Sequence, residues 1–146
     1  MDADSLMRVA RGVVLVGGTG VVQVLAQFTL SRTMEVMPQP RLSTRPTFYM
    51  LAHSVIAVLV LMAGHMLQVT LWASLYYFEW GEFGSFGKAF YFSLASFTTV
   101  GAGELSLPPA QRMVGALEAA VGMLMFGWST ALLVHVVRST DRKEVS

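Results

Sequence analysis

An all-α membrane protein is the fold class this sequence predicts, and three observations predict it. Of the 146 residues, 54% are hydrophobic and only 13% are charged, a balance suited to lipid as solvent. Three apolar runs are long enough to cross a hydrocarbon core of roughly 30 Å, and a fourth run is too short to do so. Cysteine is absent, which excludes disulfide frameworks, thiolate metal sites and cysteine nucleophiles together. With a net charge of +1 and no Lys/Arg cluster interleaved with aromatics, nucleic-acid binding has no support. No enzyme is expected, because the three histidines and nine carboxylates are the whole ionisable catalytic stock and most carboxylates fall outside the apolar runs.

The first run, Val13 to Leu30, carries no charge and is about the minimum length for a span. Its Gly17-Gly18-Thr19-Gly20 patch lowers helix propensity, while small residues let membrane helices approach closely. A cleaved leader is the competing reading of this run, since Arg8 and Arg11 precede it and Val24-Leu25-Ala26 offers small residues before a cut. Ser31 to Thr47 holds Arg32, Arg41 and Arg45 with Pro38, Pro40 and Pro46, so it reads as a polar loop.

The second run, Phe48 to Phe78, exceeds what a bilayer needs and should tilt or project. Trp72, Tyr76, Tyr77 and Trp80 gather at its far end as an interfacial aromatic belt, with Glu79 and Glu82 marking the exit into water. The third run, Met113 to Val137, ends in Arg138, Arg142 and Lys143. Counting basic residues places the 32–45 loop and the tail in the cytoplasm and the N-terminus outside a cell (inner) membrane crossed three times.

Between the second and third runs, Phe86 to Phe97 would make roughly 18 Å of helix, too short to cross. Ser85 is its expected N-cap after the Gly81 and Gly84 turn region, and Pro108-Pro109 lets the next helix begin afresh. A half-crossing helix followed by irregular backbone is tolerated at membrane depth only beside protein or a water-filled cavity. The arrangement predicts a re-entrant pore loop.

After the short helix comes Thr98-Thr99-Val100-Gly101-Ala102-Gly103-Glu104, which resembles the selectivity-filter signature T-V-G-Y-G-D of potassium channels. The setting fits as well, with Ala89-Phe90-Tyr91-Phe92-Ser93 in the pore-helix position and Gly122 to Ala131 in the inner-helix position. The resemblance covers about Val55 to Val137. It implies an N-terminal helix and loop (1–47), a pore unit (48–138) with outer helix 48–78, pore helix 86–97, filter 98–104 and inner helix 113–137, and a short tail (139–146). A homotetramer in the lipid bilayer passing potassium, or sodium as well, follows from the same resemblance, with no cofactor.

Physics explains why such a stretch suits the task. A potassium ion gives up water only where oxygens replace it, so successive backbone carbonyls must face one axis. That requires residues alternating between ordinary and left-handed conformations, and glycine enters the latter without a Cβ clash. Gly101 and Gly103 occupy alternate positions, and the Thr99 hydroxyl can add a further oxygen ring. Two departures from the family pattern bear on selectivity. Ala102 stands where the family usually has an aromatic that packs behind the filter, so unfilled volume and a weakened potassium preference are expected unless Phe92, Tyr91 or a neighbouring subunit's methionines refill it. Glu104 replaces the usual Asp.

Glu118 lies inside the third span, where a carboxylate is costly. Some relatives place a carboxylate on the pore helix where this chain has Ala95, so either Glu118 supplies the buried acid of the filter scaffold or it reaches the interface or Arg112. By resemblance Gly122 occupies a hinge position, with helix packing as the other reading, and Met123, Phe126 and Thr130 face the cavity. His53 and His135 admit a histidine-ligated haem protein as a rival class, and His65 with Gln68 suggests a polar helix contact. A weakly selective or non-selective cation channel and a non-conducting assembly partner are further alternatives. Neither a voltage-sensing helix nor a cytoplasmic ligand domain is expected.

Overall fold

The computed structural model describes residues 3–38 and 44–141. Four α-helices fill most of them: α1 (Ala3–Val36), α2 (Pro46–Ser74), α3 (Phe86–Phe97) and α4 (Arg112–Asp141). Three segments are long and apolar enough to cross a membrane, Leu6–Val36, Pro46–Glu79 and Pro109–Ser139. The 12-residue α3 is too short, and there is no strand among the described residues. Helices satisfy their own backbone groups, which lipid cannot do for them.

α1 runs unbroken through its glycine patch and overshoots the expected span at both ends. The polar loop expected from Ser31 is corrected here, because the helix continues to Val36. No proline occurs before Pro38, and an Arg32–Glu35 pair at 3.3 Å spans one turn. Pro40, Arg41, Arg142 and Lys143 lie outside the described residues. α2 starts with Pro46 in its first turn, where the missing N–H costs nothing.

At its far end α2 widens into a π-helical turn, Leu75–Glu79. Trp72 and Tyr76 are fully buried rather than lying in the lipid-facing belt expected of them. Their polar tips explain it, since both find interior partners: Trp72 Nε1 donates to Thr19 Oγ1 at 3.1 Å and Tyr76 Oη to Glu118 at 2.7 Å.

α1 packs on both α2 and α4, and α3 sits between α2 and α4. α1 comes close to its neighbours at Gly64 opposite Ala26 and Gly12 opposite Val114, where an added Cβ would meet those side chains at 3.0 and 3.2 Å. Around Gly17, Gly18 and Gly20 there is open space instead, so the glycine patch is not the contact. Deep in the bundle Gln23, Ser129, His65 and Gln68 form a closed ring of hydrogen bonds of 3.0–3.1 Å joining α1, α4 and α2. An amide oxygen only accepts, so His65 Nδ1 donates to Gln68 Oε1 and Nε2 accepts from the Ser129 hydroxyl.

Candidate functional site

The C-terminal end of α3 points into the bundle and the chain turns back from it. Ser85 opens the helix as its N-cap, accepting from Lys88 N–H at 3.4 Å. Thr98 closes it: its N–H and its hydroxyl both donate to Leu94 O, at 3.0 and 2.7 Å. The Thr98 side chain therefore takes part in the helix cap.

From Thr99 onward the backbone alternates. Thr99, Gly101 and Gly103 have φ of 61°, 87° and 60°, while Val100 and Ala102 between them do not enter the left-handed region. Glycine adopts this conformation freely, but for a β-branched threonine it costs roughly 1–2 kcal/mol. Alternation of this kind turns successive carbonyls toward the same side. Two backbone bonds anchor the loop to α3, Thr99 N–H to Ser96 O at 2.9 Å and Gly101 N–H to Ala95 O at 3.1 Å. The Ala102 carbonyl accepts from Leu105 N–H at 3.2 Å, which commits one of its lone pairs to the loop. Thr99, Val100, Gly101, Gly103 and Glu104 are exposed on the single chain. Val100 is 82% exposed, a bare apolar side chain at the centre of the loop.

Ala102 is buried and belongs to a packed cluster with Trp72, Tyr76, Ala89, Phe92, Ala95 and Val114. Phe92 thus backs the loop. Tyr91 does not, being 54% exposed on the other side of α3. Glu118 is wholly buried and receives hydrogen bonds from Tyr76 of α2 and Ser93 of α3, tying three helices together behind the loop. Arg112 is engaged elsewhere, with Leu107 O at 3.2 Å, so the scaffold reading of Glu118 replaces the ion-pair one.

A Cβ on Gly122 would fall 2.0 Å from Phe97 O, so α4 passes directly against the end of α3 at this residue. Met123 and Thr130 are exposed on the single chain, as a cavity face would be. Phe126 departs from them, packing its ring edge-on to His65 at 4.9 Å and Phe97 at 5.5 Å. Spacing of three and four hid this, because residue 126 sits about 60° round the helix from residue 123 whereas residue 130 returns to nearly the same line. His53 Nδ1 donates locally to Tyr49 O at 2.7 Å, and His135 is exposed.

The polar ring of Gln23, His65, Gln68 and Ser129 was not legible as a unit, although uncharged polar residues deep in three apolar runs were its signal. Phe83 was missed as well. It has φ of 69° between Gly81 and Gly84 and stacks on Phe92.

A half-length helix aimed into the bundle, an alternating glycine loop and a long apolar helix behind it can offer oxygen ligands and helix-dipole charge to a cation. Residues 55–139 match the family of ion channels. Comparison with curated proteins and with solved structures returns no match.

Proposed function

The chain belongs to the ion-channel family, and on that premise we propose that four copies form a potassium-preferring cation channel around one axis. The observation that carries this is the alternation of left-handed residues at 99, 101 and 103 directly after α3. One such loop cannot surround an ion, and closed cyclic symmetry brings several together. Carbonyls of Thr99 to Gly103 would then replace the water shell, with the Thr99 hydroxyl at the inner end. Val100 and the exposed face around Met123 would be covered by neighbouring copies. By sequence, Arg32, Arg41, Arg45, Arg138, Arg142 and Lys143 near one set of span ends outnumber Arg8, Arg11, Lys88 and Arg112 near the other, which favours an outside N-terminus and a cytoplasmic C-terminus by the positive-inside rule.

Weak selectivity between potassium and sodium is the second reading. It is favoured by the Ala102 carbonyl, whose bond to Leu105 N–H weakens its claim as an ion ligand. Reconstitution in liposomes under opposed potassium and sodium gradients tests both. A reversal potential near the potassium equilibrium supports the first, one midway between the two ions supports the second, and no current at all refutes both.

A further inference from the structure

We propose that Phe83 is a selectivity-determining residue, acting as the aromatic wedge that holds the loop around Ala102 at its working width. The inference rests on the filter reading above. Loops that strip water from an ion discriminate by how firmly their oxygens are held, so whatever packs behind them sets the discrimination. Ala102 turns only a methyl group inward, and it is buried. The volume behind it is closed by residues from elsewhere in the chain. Phe92 reaches across from α3 until its ring lies 3.7 Å from where a Cβ on Gly115 would be. Phe83 stacks on that ring at 4.9 Å and 29°, and Tyr76 meets Phe92 edge-on at 5.3 Å and Phe83 at 6.5 Å. Three rings on three separate segments therefore form one layer within the cluster that contains Ala102.

The backbone gives independent support. Phe83 stands in the left-handed region, where a bulky side chain is an outlier and persists only if its surroundings hold it there. Flanking Gly81 and Gly84 are left-handed too, and Glu82 N–H to Tyr76 O at 2.9 Å and Ser85 N–H to Phe83 O at 2.8 Å fix the turn. A glycine or asparagine would sit at this position without strain. A phenylalanine there means the ring is needed where that backbone aims it. Tyr76 and Phe83 together hold the Phe92 ring in place.

The test is the potassium-to-sodium permeability ratio of full-length channels in liposomes, for wild type, F83A, the milder F83L, the exposed-ring control F78A, and the double variant F83A/A102F. Assembly is checked by size before each recording. Wild type and F78A should share one ratio, and F83A and F83L should lower it by about threefold to tenfold, the factor that one aromatic contact corresponds to. F83A/A102F, which returns a ring to the same layer from the loop side, should recover most of the loss. Unchanged ratios in F83L and in any F83A that assembles would overturn the proposal, and so would a double variant no more selective than F83A. If F83A does not assemble, F83L decides. Absence of current in wild type itself would instead refute the filter reading on which the proposal stands.

Discussion

Gly122 and Phe97 are in backbone contact, so close that a single added carbon at Gly122 would sit 2.0 Å from the Phe97 carbonyl oxygen. α4 is therefore pinned to the end of α3 at this residue, which favours the packing reading of Gly122 over the hinge. Overpacking of this kind typically costs about 1–3 kcal/mol, and here the obstacle is backbone that cannot rotate away. Gly122→Ala should lower the unfolding temperature and reduce the yield of assembled protein. Gly17→Ala, facing open space in α1, should be neutral or stabilising by up to about 1 kcal/mol. A Gly122→Ala protein of normal stability with altered opening alone would restore the hinge reading.

Gly101 has φ of 87° and nothing within 4 Å of a built Cβ, so its requirement is conformational and not spatial. Gly101→Ala should cost roughly 1–2 kcal/mol of left-handed strain at one residue. Because the three carbonyl turns depend on one another, conduction should fall far more than stability does. Gly87→Ala in α3, also in open space but without a positive φ, should leave flux unchanged. Equal flux through Gly101→Ala and Gly87→Ala channels would contradict the role given to the loop.

Much of this was readable beforehand, for an identifiable reason. Where one physical demand acts alone, the sequence states it openly: apolar length gives the three long helices, insufficient length gives α3, and Ser85 gives the cap at which α3 begins. Where two demands compete, the pattern misleads. Trp72 and Tyr76 have the composition of an interfacial belt, yet their polar tips drew them inward to Thr19 and Glu118. Phe126 has the spacing of a cavity residue, yet it lies far enough round α4 to pack on Phe97. Partners far apart in sequence, such as Gln23 and Ser129, leave no local trace at all.

Glu118 supports a prediction that separates hydrogen bonding from charge. Its two oxygens accept from Tyr76 and Ser93, and Ser93 Oγ also lies 2.9 Å from Val69 O. A glutamine can accept from Tyr76 with Oε1 and donate to Ser93 with Nε2, which frees the serine proton for Val69. Glu118→Gln should stay within about 1 kcal/mol of wild type, whereas Glu118→Ala leaves the buried Tyr76 hydroxyl unpaired and a cavity, costing about 3 kcal/mol. Chemical unfolding in detergent measures both. A glutamine variant as unstable as the alanine one would mean that the carboxylate itself is required.

The ring of Gln23, Ser129, His65 and Gln68 ties α1 to α2 and α4 by hydrogen bonds as well as by apolar packing. Each member donates to the next, Gln23 to Ser129, Ser129 to His65, His65 to Gln68 and Gln68 back to Gln23, so every side-chain polar atom in the circuit has a partner. Removing one member strands two neighbours at once: Ser129→Ala takes the acceptor from Gln23 and the donor from His65. In a buried site that should cost about 2 kcal/mol, and Gln23→Leu should cost a similar amount. The second loss is smaller once the circuit is already open, so the double variant should be less destabilised than the sum by about 1 kcal/mol. Because Gln23 is the ring's only member on α1, either single variant should also loosen α1 from α4, read as faster cleavage within α1 by a protease in detergent. Strict additivity, with unchanged cleavage, would show that the four side chains act as separate pairs and that the ring does not hold α1 in place.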